Sequence, residues 1–394
     1  MEKKVKRSLA VAMLIFFCLS GILTLFCSPK QIAASFVNGI KSGKSEGIVK
    51  SIDNGINSVE NSINENFIFR NQAINMHGFV QSALQKKVVD DVDPQYTVLK
   101  LSNGYLTFLE KGPADYESFY QFMGELDIIC KDNNADLIYV NKLDKNTLNK
   151  EDYPNFYPYL YKDSTIGCVE TLQGMGITVL NLKTNLTQQN IDVFDMFFKT
   201  DHHWTPQAGI WASAQIVDSL NEHYGYNFDS SIYSDDNFEV EVYEDAFLGS
   251  QGKRVGMFYG GVDDFHIVVP KYPTNYTFSV PESNIYLEGS FEETLLFRDR
   301  FLPDDIMNQE TTAYQIYMKG NHGALTITNN SSQNEKKALL IMDSYGCVVA
   351  PYLCESFSRL DCIDLRSFDG SLEEYIKEAT PDVVITMTTY HTAE

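Results

Sequence analysis

From about Tyr96 onward, stretches of helical periodicity alternate with short runs that are apolar on every position, and few architectures accommodate such a pattern. Strands that read as continuous apolar runs are covered on both faces, which requires a mostly parallel sheet between two layers of helices. Asp115–Asn133 reads as a helix, followed by a strand at Asp136–Val140 and a second at Ile177–Leu182. Pro206 fits the first position of a helix running to about His223. The pattern resumes late in the chain. Strands are expected at Ala338–Met342, Leu360–Leu365 and Val383–Thr388, with helices at about Gly346–Phe357 and Leu372–Ala379. Between them, about 226–335, short alternating runs such as Phe265–Val269 and Ala324–Thr328 indicate a β-containing insertion.

Lys3, Lys4, Lys6 and Arg7 precede an uncharged stretch from Ser8 to Ser28. A bilayer span needs roughly 17–25 apolar residues, so 8–28 reads as a transmembrane signal anchor. The basic residues 1–7 would then stay cytoplasmic and everything after the span would lie outside, in a single-pass cell-membrane protein. Residues 29–66 read as a polar linker to about Gly47 and then an amphipathic helix, with Ile48, Ile52, Ile56, Val59 and Ile63 on one face. That helix either packs on the main domain or forms a short coiled-coil stalk; the domain itself would occupy 67–394. The formal net charge of −22 excludes a nucleic-acid partner, because phosphate recognition needs concentrated Lys and Arg. Five of the seven cysteines (Cys130, Cys168, Cys347, Cys354, Cys362) follow the span with no framework spacing and no zinc-type pairing, so they read as buried small hydrophobes.

Two local sequences carry the chemistry. In Leu339-Leu340-Ile341-Met342-Asp343-Ser344-Tyr345-Gly346, a buried strand ends in a serine and turns at once into a helix. Ligands of open parallel sheets bind beyond the carboxyl ends of the strands, so Ser344 is presented at that edge with its own N–H near an anionic oxygen. A strand-end serine also serves as a plain helix N-cap. The second sequence, Thr200-Asp201-His202-His203-Trp204-Thr205, supplies what a serine nucleophile lacks: His203 as base and Asp201 to orient it. Trp204 would wall the pocket, and alternation along an extended segment would send His202 away from His203. Asp-His-His runs also occur in metal-dependent phosphoesterases, but those need further clustered carboxylates, so no metal and no cofactor is expected.

The Thr-Asp-His-His-Trp-Thr run, the segment Phe247–Gly256, the triplet Gly320-Asn321-His322 and the turn Asp343-Ser344-Tyr345-Gly346 together resemble the bacterial DHHW proteins. These are relatives of the SGNH hydrolase-like alginate O-acetylation proteins of the AlgJ and AlgX type, and the resemblance spans roughly Phe67 to Tyr390. It implies a three-layer α/β/α sandwich in permuted order, with the Asp-x-His-Trp motif ahead of the serine. It also implies Ser344 as nucleophile, His203 as general base and Asp201 as orienting acid. Asn141, Asn321 and Arg366 are candidate oxyanion or substrate contacts. The function implied is an extracytoplasmic O-acyltransferase, O-acetyl by expectation, or an acetylesterase acting on an exopolysaccharide or cell-wall polymer beside a multipass membrane O-acyltransferase. The other reading is a non-catalytic polysaccharide-binding or assembly protein that kept the fold.

Overall fold

A computed structural model describes residues 18–42, 44, 47–109, 116–145, 162–309 and 312–388. The chain divides after Val80 into two compact units. The basic segment 1–7 and most of the expected span lie outside the described residues. Its described end, 18–27, is helical and exposes Leu19, Ile22, Leu23, Leu25 and Phe26. Among the described residues no helix is long and apolar enough to cross a membrane.

The polar linker expected to reach Gly47 is instead largely helix, Pro29–Ser42. Ile32, Phe36 and Ile40 recur every fourth position there, a helical stripe within a polar composition. This helix packs on Ile48–Glu65 through small residues: a Cβ on Gly39 would stand 2.4 Å from the Asn54 carbonyl oxygen, and one on Gly55 would meet Ile40 and Phe36. The buried face of the second helix is therefore Ser51, Gly55 and Ser62, while Ile48, Ile52 and Ile56 of the expected stripe face outward. Close backbone approach at the glycines selects that face over the bulkier isoleucines.

In the second unit the strands are β1 (Val88–Val89), β2 (Val98–Lys100), β3 (Leu106–Phe108), β4 (Asp136–Asn141), β5 (Thr178–Asn181), β6 (Phe238–Phe247), β7 (Asp263–Pro270), β8 (Tyr276–Val280), β9 (Ile285–Gly289), β10 (Ala324–Asn329), β11 (Lys337–Ile341), β12 (Arg359–Ile363) and β13 (Val383–Thr386). The central sheet has eight strands in the order β5-β4-β13-β11-β12-β10-β8-β9. The first five are parallel, and β10, β8 and β9 continue antiparallel. Thus three strands of the expected insertion build the edge of the main sheet, and only β6 and β7 form a separate ribbon. Their alternating burial permits this, since an antiparallel edge needs only one apolar face.

Side chains of successive strand residues point to opposite faces, and the core divides accordingly. Ala338 and Leu340 of β11, with Val383 and Ile385 of β13, join Ile210, Ile216, Val217 and Leu220 of the helix Pro206–Tyr224. Leu339, Ile341 and Val384 face the other way, onto Phe119, Met123 and Leu126 of the helix Glu117–Asp132 and Ile376 of Leu372–Ala379. The result is the three-layer α/β/α arrangement with a mostly parallel sheet. Truncating any of these buried leucines to Ala costs about 2–5 kcal/mol.

The Pro206–Tyr224 helix begins with Thr205 capping the Ala208 N–H and Pro206 at the first turn, and ends at Gly225 in the left-handed conformation (φ 70°). The helix expected at Gly346–Phe357 is broken into the turn Ser344–Val348, the short helix Ala350–Leu353 and the turn Cys354–Ser356. Pro351 has no N–H to donate, so a continuous helix could not run through it. All five cysteines of this unit are buried and free.

Candidate active site

β11 lies between the parallel strands β13 and β12, and pairing on both sides continues to its end: the Met342 N–H donates to Ile363 O (2.9 Å) and the Met387 N–H to Ile341 O (2.9 Å). The chain then turns. Asp343 accepts from the Tyr345 N–H through Oδ1 (3.1 Å) and from the Gly346 N–H through its carbonyl (2.9 Å). Asp343 thereby fills the capping position, and Ser344 opens the turn with its side chain free for chemistry. Among the described residues the Ser344 backbone N–H has no acceptor.

The motif segment reaches this point from the neighbouring helix. Phe197 and Trp204 form a bridge, and the Phe198 N–H donates to His203 O (3.3 Å), so residues 198–203 make a tight reversal directly before Thr205 and Pro206. Inside the reversal, Asp201 Oδ1 lies 2.6 Å from His203 Nδ1 and accepts from the His203 N–H at 2.9 Å. His203 Nε2 lies 2.8 Å from Ser344 Oγ. The carboxylate can only accept, which assigns the ring proton to Nδ1 and leaves Nε2 to accept from the serine hydroxyl. The other carboxylate oxygen, Oδ2, accepts from the Ser250 N–H at 2.6 Å.

Asp201 is buried, and burial alone would raise its pKa. Attraction to the His203 imidazole, which becomes a full ion pair when that ring is protonated, and the hydrogen bonds from His203 and the Ser250 N–H overcome that and hold the carboxyl well below the usual carboxylate range. The Tyr314 ring stacks on the His203 imidazole at 4.0 Å with a 16° interplanar angle. The Tyr345 ring stands 5.5 Å away, and its hydroxyl donates to His202 O at 2.8 Å.

His202 does not turn away as an extended segment would send it. The segment is a turn, and the two imidazoles lie 3.8 Å apart, with His202 Nδ1 2.9 Å from Ser250 Oγ. Desolvation, and then the charge that His203 gains when protonated, push His202 down to about 3, although its side chain is 35% exposed. Trp204 is 1% exposed and donates its indole N–H to Leu143 O (3.1 Å) while backing the Tyr345 ring edge-on. It supports the site from within the core, behind the Tyr345 ring.

The other expected contacts have partners of their own. Asn141, at the end of β4, donates to Asn181 Oδ1 (3.2 Å). Asn321 donates to Asp364 Oδ2 (2.8 Å) and accepts from the Cys347 thiol, three residues beyond the nucleophile. Arg366 forms a bidentate pair with Asp364. Three other groups escaped the sequence reading. Lys142 forms a buried ion pair with Asp343 and lies over the Tyr345 ring at 4.3 Å. Lys145, wholly buried, donates to the carbonyls of Leu106 and Asp201. Lys142 directly follows the apolar strand β4 and Lys145 comes three residues later, where a charge needs a built partner, and that was their available signal. Tyr314 carried none, because only the tertiary fold brings it to His203.

Asp201, His202 and His203 each offer one ligand atom within 4.8 Å of the others, the spacing a metal ion needs. Two of the three already bond to one another through the Nδ1 proton, which a metal would have to displace.

Residues 123–230 match the family model described as the SGNH hydrolase-like domain of acetyltransferase AlgX. No curated protein matches the sequence. Among solved structures, Bacillus cereus PatB1 with a sulfonyl adduct is similar at 17% identity and a TM-score of 0.62, over 78% of this chain and 97% of that one. A DHHW family protein from Eubacterium siraeum is similar at 16% identity and a TM-score of 0.56, over 78% of this chain and 95% of that one. At these identities the likeness is one of fold. The relationship read from the motifs stands on these two legs: an AlgX-type SGNH hydrolase-like segment within a chain folded like PatB1 and a DHHW family protein.

Proposed function

We propose that the protein is a serine-dependent O-acyltransferase of the cell surface, moving an acetyl group onto a hydroxyl of an exopolysaccharide or cell-wall polymer, with ester hydrolysis as its side reaction. One observation carries this reading: His203 bridges Asp201 and Ser344 at 2.6 and 2.8 Å at the carboxyl edge of a parallel sheet. A non-catalytic relative would have no use for that alignment.

Ser344 Oγ attacks the acyl carbonyl while its proton passes to His203 Nε2, and Asp201 stabilises the imidazolium. The tetrahedral oxyanion faces the Ser344 N–H. As the intermediate collapses, the leaving alkoxide takes the proton from Nε2 and the acyl group stays on Oγ. A polymer hydroxyl then gives its proton to Nε2 and attacks the ester, and the second collapse returns that proton to Ser344. Water in place of the polymer gives the esterase.

The apolar stretch 8–28 behind its basic start supports a membrane anchor with the domain outside the cell. The family resemblance supports a multipass membrane O-acyltransferase as the acyl supplier. The test is acylation of the full-length protein in detergent with an activated acetyl ester, read by peptide mass spectrometry. Acetyl on Ser344, and its loss in Ser344→Ala with the fold kept, is the expected result; an unmodified Ser344 under conditions where a sulfonyl fluoride also fails to label it would overturn the reading.

A further inference from the structure

Asp201 does not hold its own position. The backbone of Lys199, Thr200 and Asp201 is gripped on its N–H side by one half-buried anion and on its C=O side by one buried cation. Asp263, the first residue of β7, accepts the Lys199 N–H at Oδ1 (2.7 Å) and the Thr200 N–H at Oδ2 (2.8 Å), and Oδ2 also accepts the Thr200 hydroxyl. Lys145 Nζ, opposite, donates to Lys199 O (3.4 Å), to Asp201 O and, across to β3, to Leu106 O (3.0 Å). Charged hydrogen bonds of this kind are about twice as strong as neutral ones and fix direction more tightly.

The grip extends to the carboxylate. Thr200 Oγ1, its proton given to Asp263, accepts the Gly249 N–H (2.9 Å), and Thr200 O accepts the Gly252 N–H (2.9 Å). These two bonds seat the turn whose next residue, Ser250, donates its N–H to Asp201 Oδ2. A Cβ on Gly249 would stand 2.2 Å from Asp201 Cβ, so the turn lies directly against the acid. Asp263 thus reaches Asp201 by two routes, one along the backbone through Thr200 and one through the Thr200 hydroxyl and Gly249 to Ser250.

We propose that Asp263, acting through Thr200 and opposed by Lys145, is a positioning residue that sets the Asp201–His203 hydrogen bond and hence the alignment of His203 on Ser344. It touches neither substrate nor reacting atoms. The proposal rests on the acyl-transfer reading for its catalytic consequence, while its structural core concerns one hydrogen bond only.

The experiment compares Asp263→Ala, Thr200→Val and Thr200→Ser with wild type in the full-length protein. The first readout is the low-field proton resonance of the Asp201–His203 bond, followed by NMR. The second is the split of kcat and KM on an acetyl ester. Asp263→Ala and Thr200→Val are expected to weaken or move the resonance and to lower kcat by about tenfold or more with KM unchanged, as small misplacements of catalytic groups do. Thr200→Ser, which keeps the hydroxyl, restores both. If Asp263→Ala does not fold, Thr200→Val decides, because it removes only the hydroxyl link. Folded variants with the wild-type resonance and kcat overturn the proposal. A wild type that shows the resonance yet cleaves no ester overturns the acyl-transfer reading instead and leaves the clamp to be judged by NMR.

Discussion

His203 Nε2 stands 2.8 Å from Ser344 Oγ although 141 positions separate the two residues, and two neighbouring elements bring them together. Ser344 follows the central strand β11, while His203 precedes the helix Pro206–Tyr224, which packs on the same turn. Gly209 of that helix lies so close to the nucleophile turn that a Cβ there would stand 1.9 Å from Val348 O. If the pair acts as a unit, Ser344→Ala and His203→Ala each lower ester cleavage by roughly 10³-fold or more, and the double variant is no worse than either single one. Steady-state rates on a chromogenic acetyl ester check this, and additive losses would refute a shared proton path.

The Asp201 carboxyl, held well below its ordinary range, makes stability depend on pH in a defined direction. Its folded pKa is lower than its unfolded value, so its contribution is present above about pH 4 and disappears as pH falls further. Wild type is expected to melt above Asp201→Asn at pH 6–7, with the two curves converging below about pH 4. Melting temperatures over pH 2–7 test it; a gap independent of pH would show that the loss is one of packing alone.

The alternation of apolar runs and helical stripes made the parallel core legible, because wholly buried runs such as 338–341 of β11 and Val383–Thr386 have no other place to go. The site was legible where its residues are adjacent in sequence, as Asp201 and His203 are. Two kinds of feature were not. Small-residue helix contacts, as at Gly39 and Gly55, carry no hydropathy signal, and the short stripe Ile32, Phe36 and Ile40 sits within a polar composition, so the helix Pro29–Ser42 read as linker. Groups recruited from distant elements, such as Tyr314 and Asp263, announce themselves only once the fold brings them against the motif. His202 failed for a third reason: the alternation rule presumes an extended strand, and residues 198–203 reverse direction.

Tyr314 covers one face of the catalytic imidazole, and its buried hydroxyl has no hydrogen-bond partner among the described residues. The ring and the hydroxyl therefore separate cleanly by mutation. Tyr314→Phe keeps the stacking and removes an unsatisfied group, so stability should hold or rise by up to about 1 kcal/mol, with activity little changed. Tyr314→Ala opens a cavity beside His203 and should cost about 3–5 kcal/mol and most of the activity. Denaturant melts and ester kinetics on both variants check this. A Tyr314→Phe protein that is stable but inactive would move the hydroxyl into direct contact with substrate.

Lys145 is the most enclosed cation described, and burial pushes it down to about 7 even though Asp201, Asp263 and Asp144 pull the other way. Its unfolded value is about 10.4, so between pH 7 and 10 the unfolded chain holds a proton that the folded chain has released. Stability must then rise with pH across that window, by on the order of 1 kcal/mol per unit at most. Lys145→Met lacks this dependence and removes a donor from the Asp201 carbonyl, while Lys199 O keeps the Leu106 N–H (2.9 Å); a carbonyl left unmatched costs about 1–3 kcal/mol while it stays buried and dry. The stability gap between wild type and Lys145→Met is therefore expected to widen from pH 7 to pH 10. Urea melts of both proteins across that range measure it, and a constant gap would mean that Lys145 keeps its proton and that the clamp on Asp201 stays fully ionic throughout.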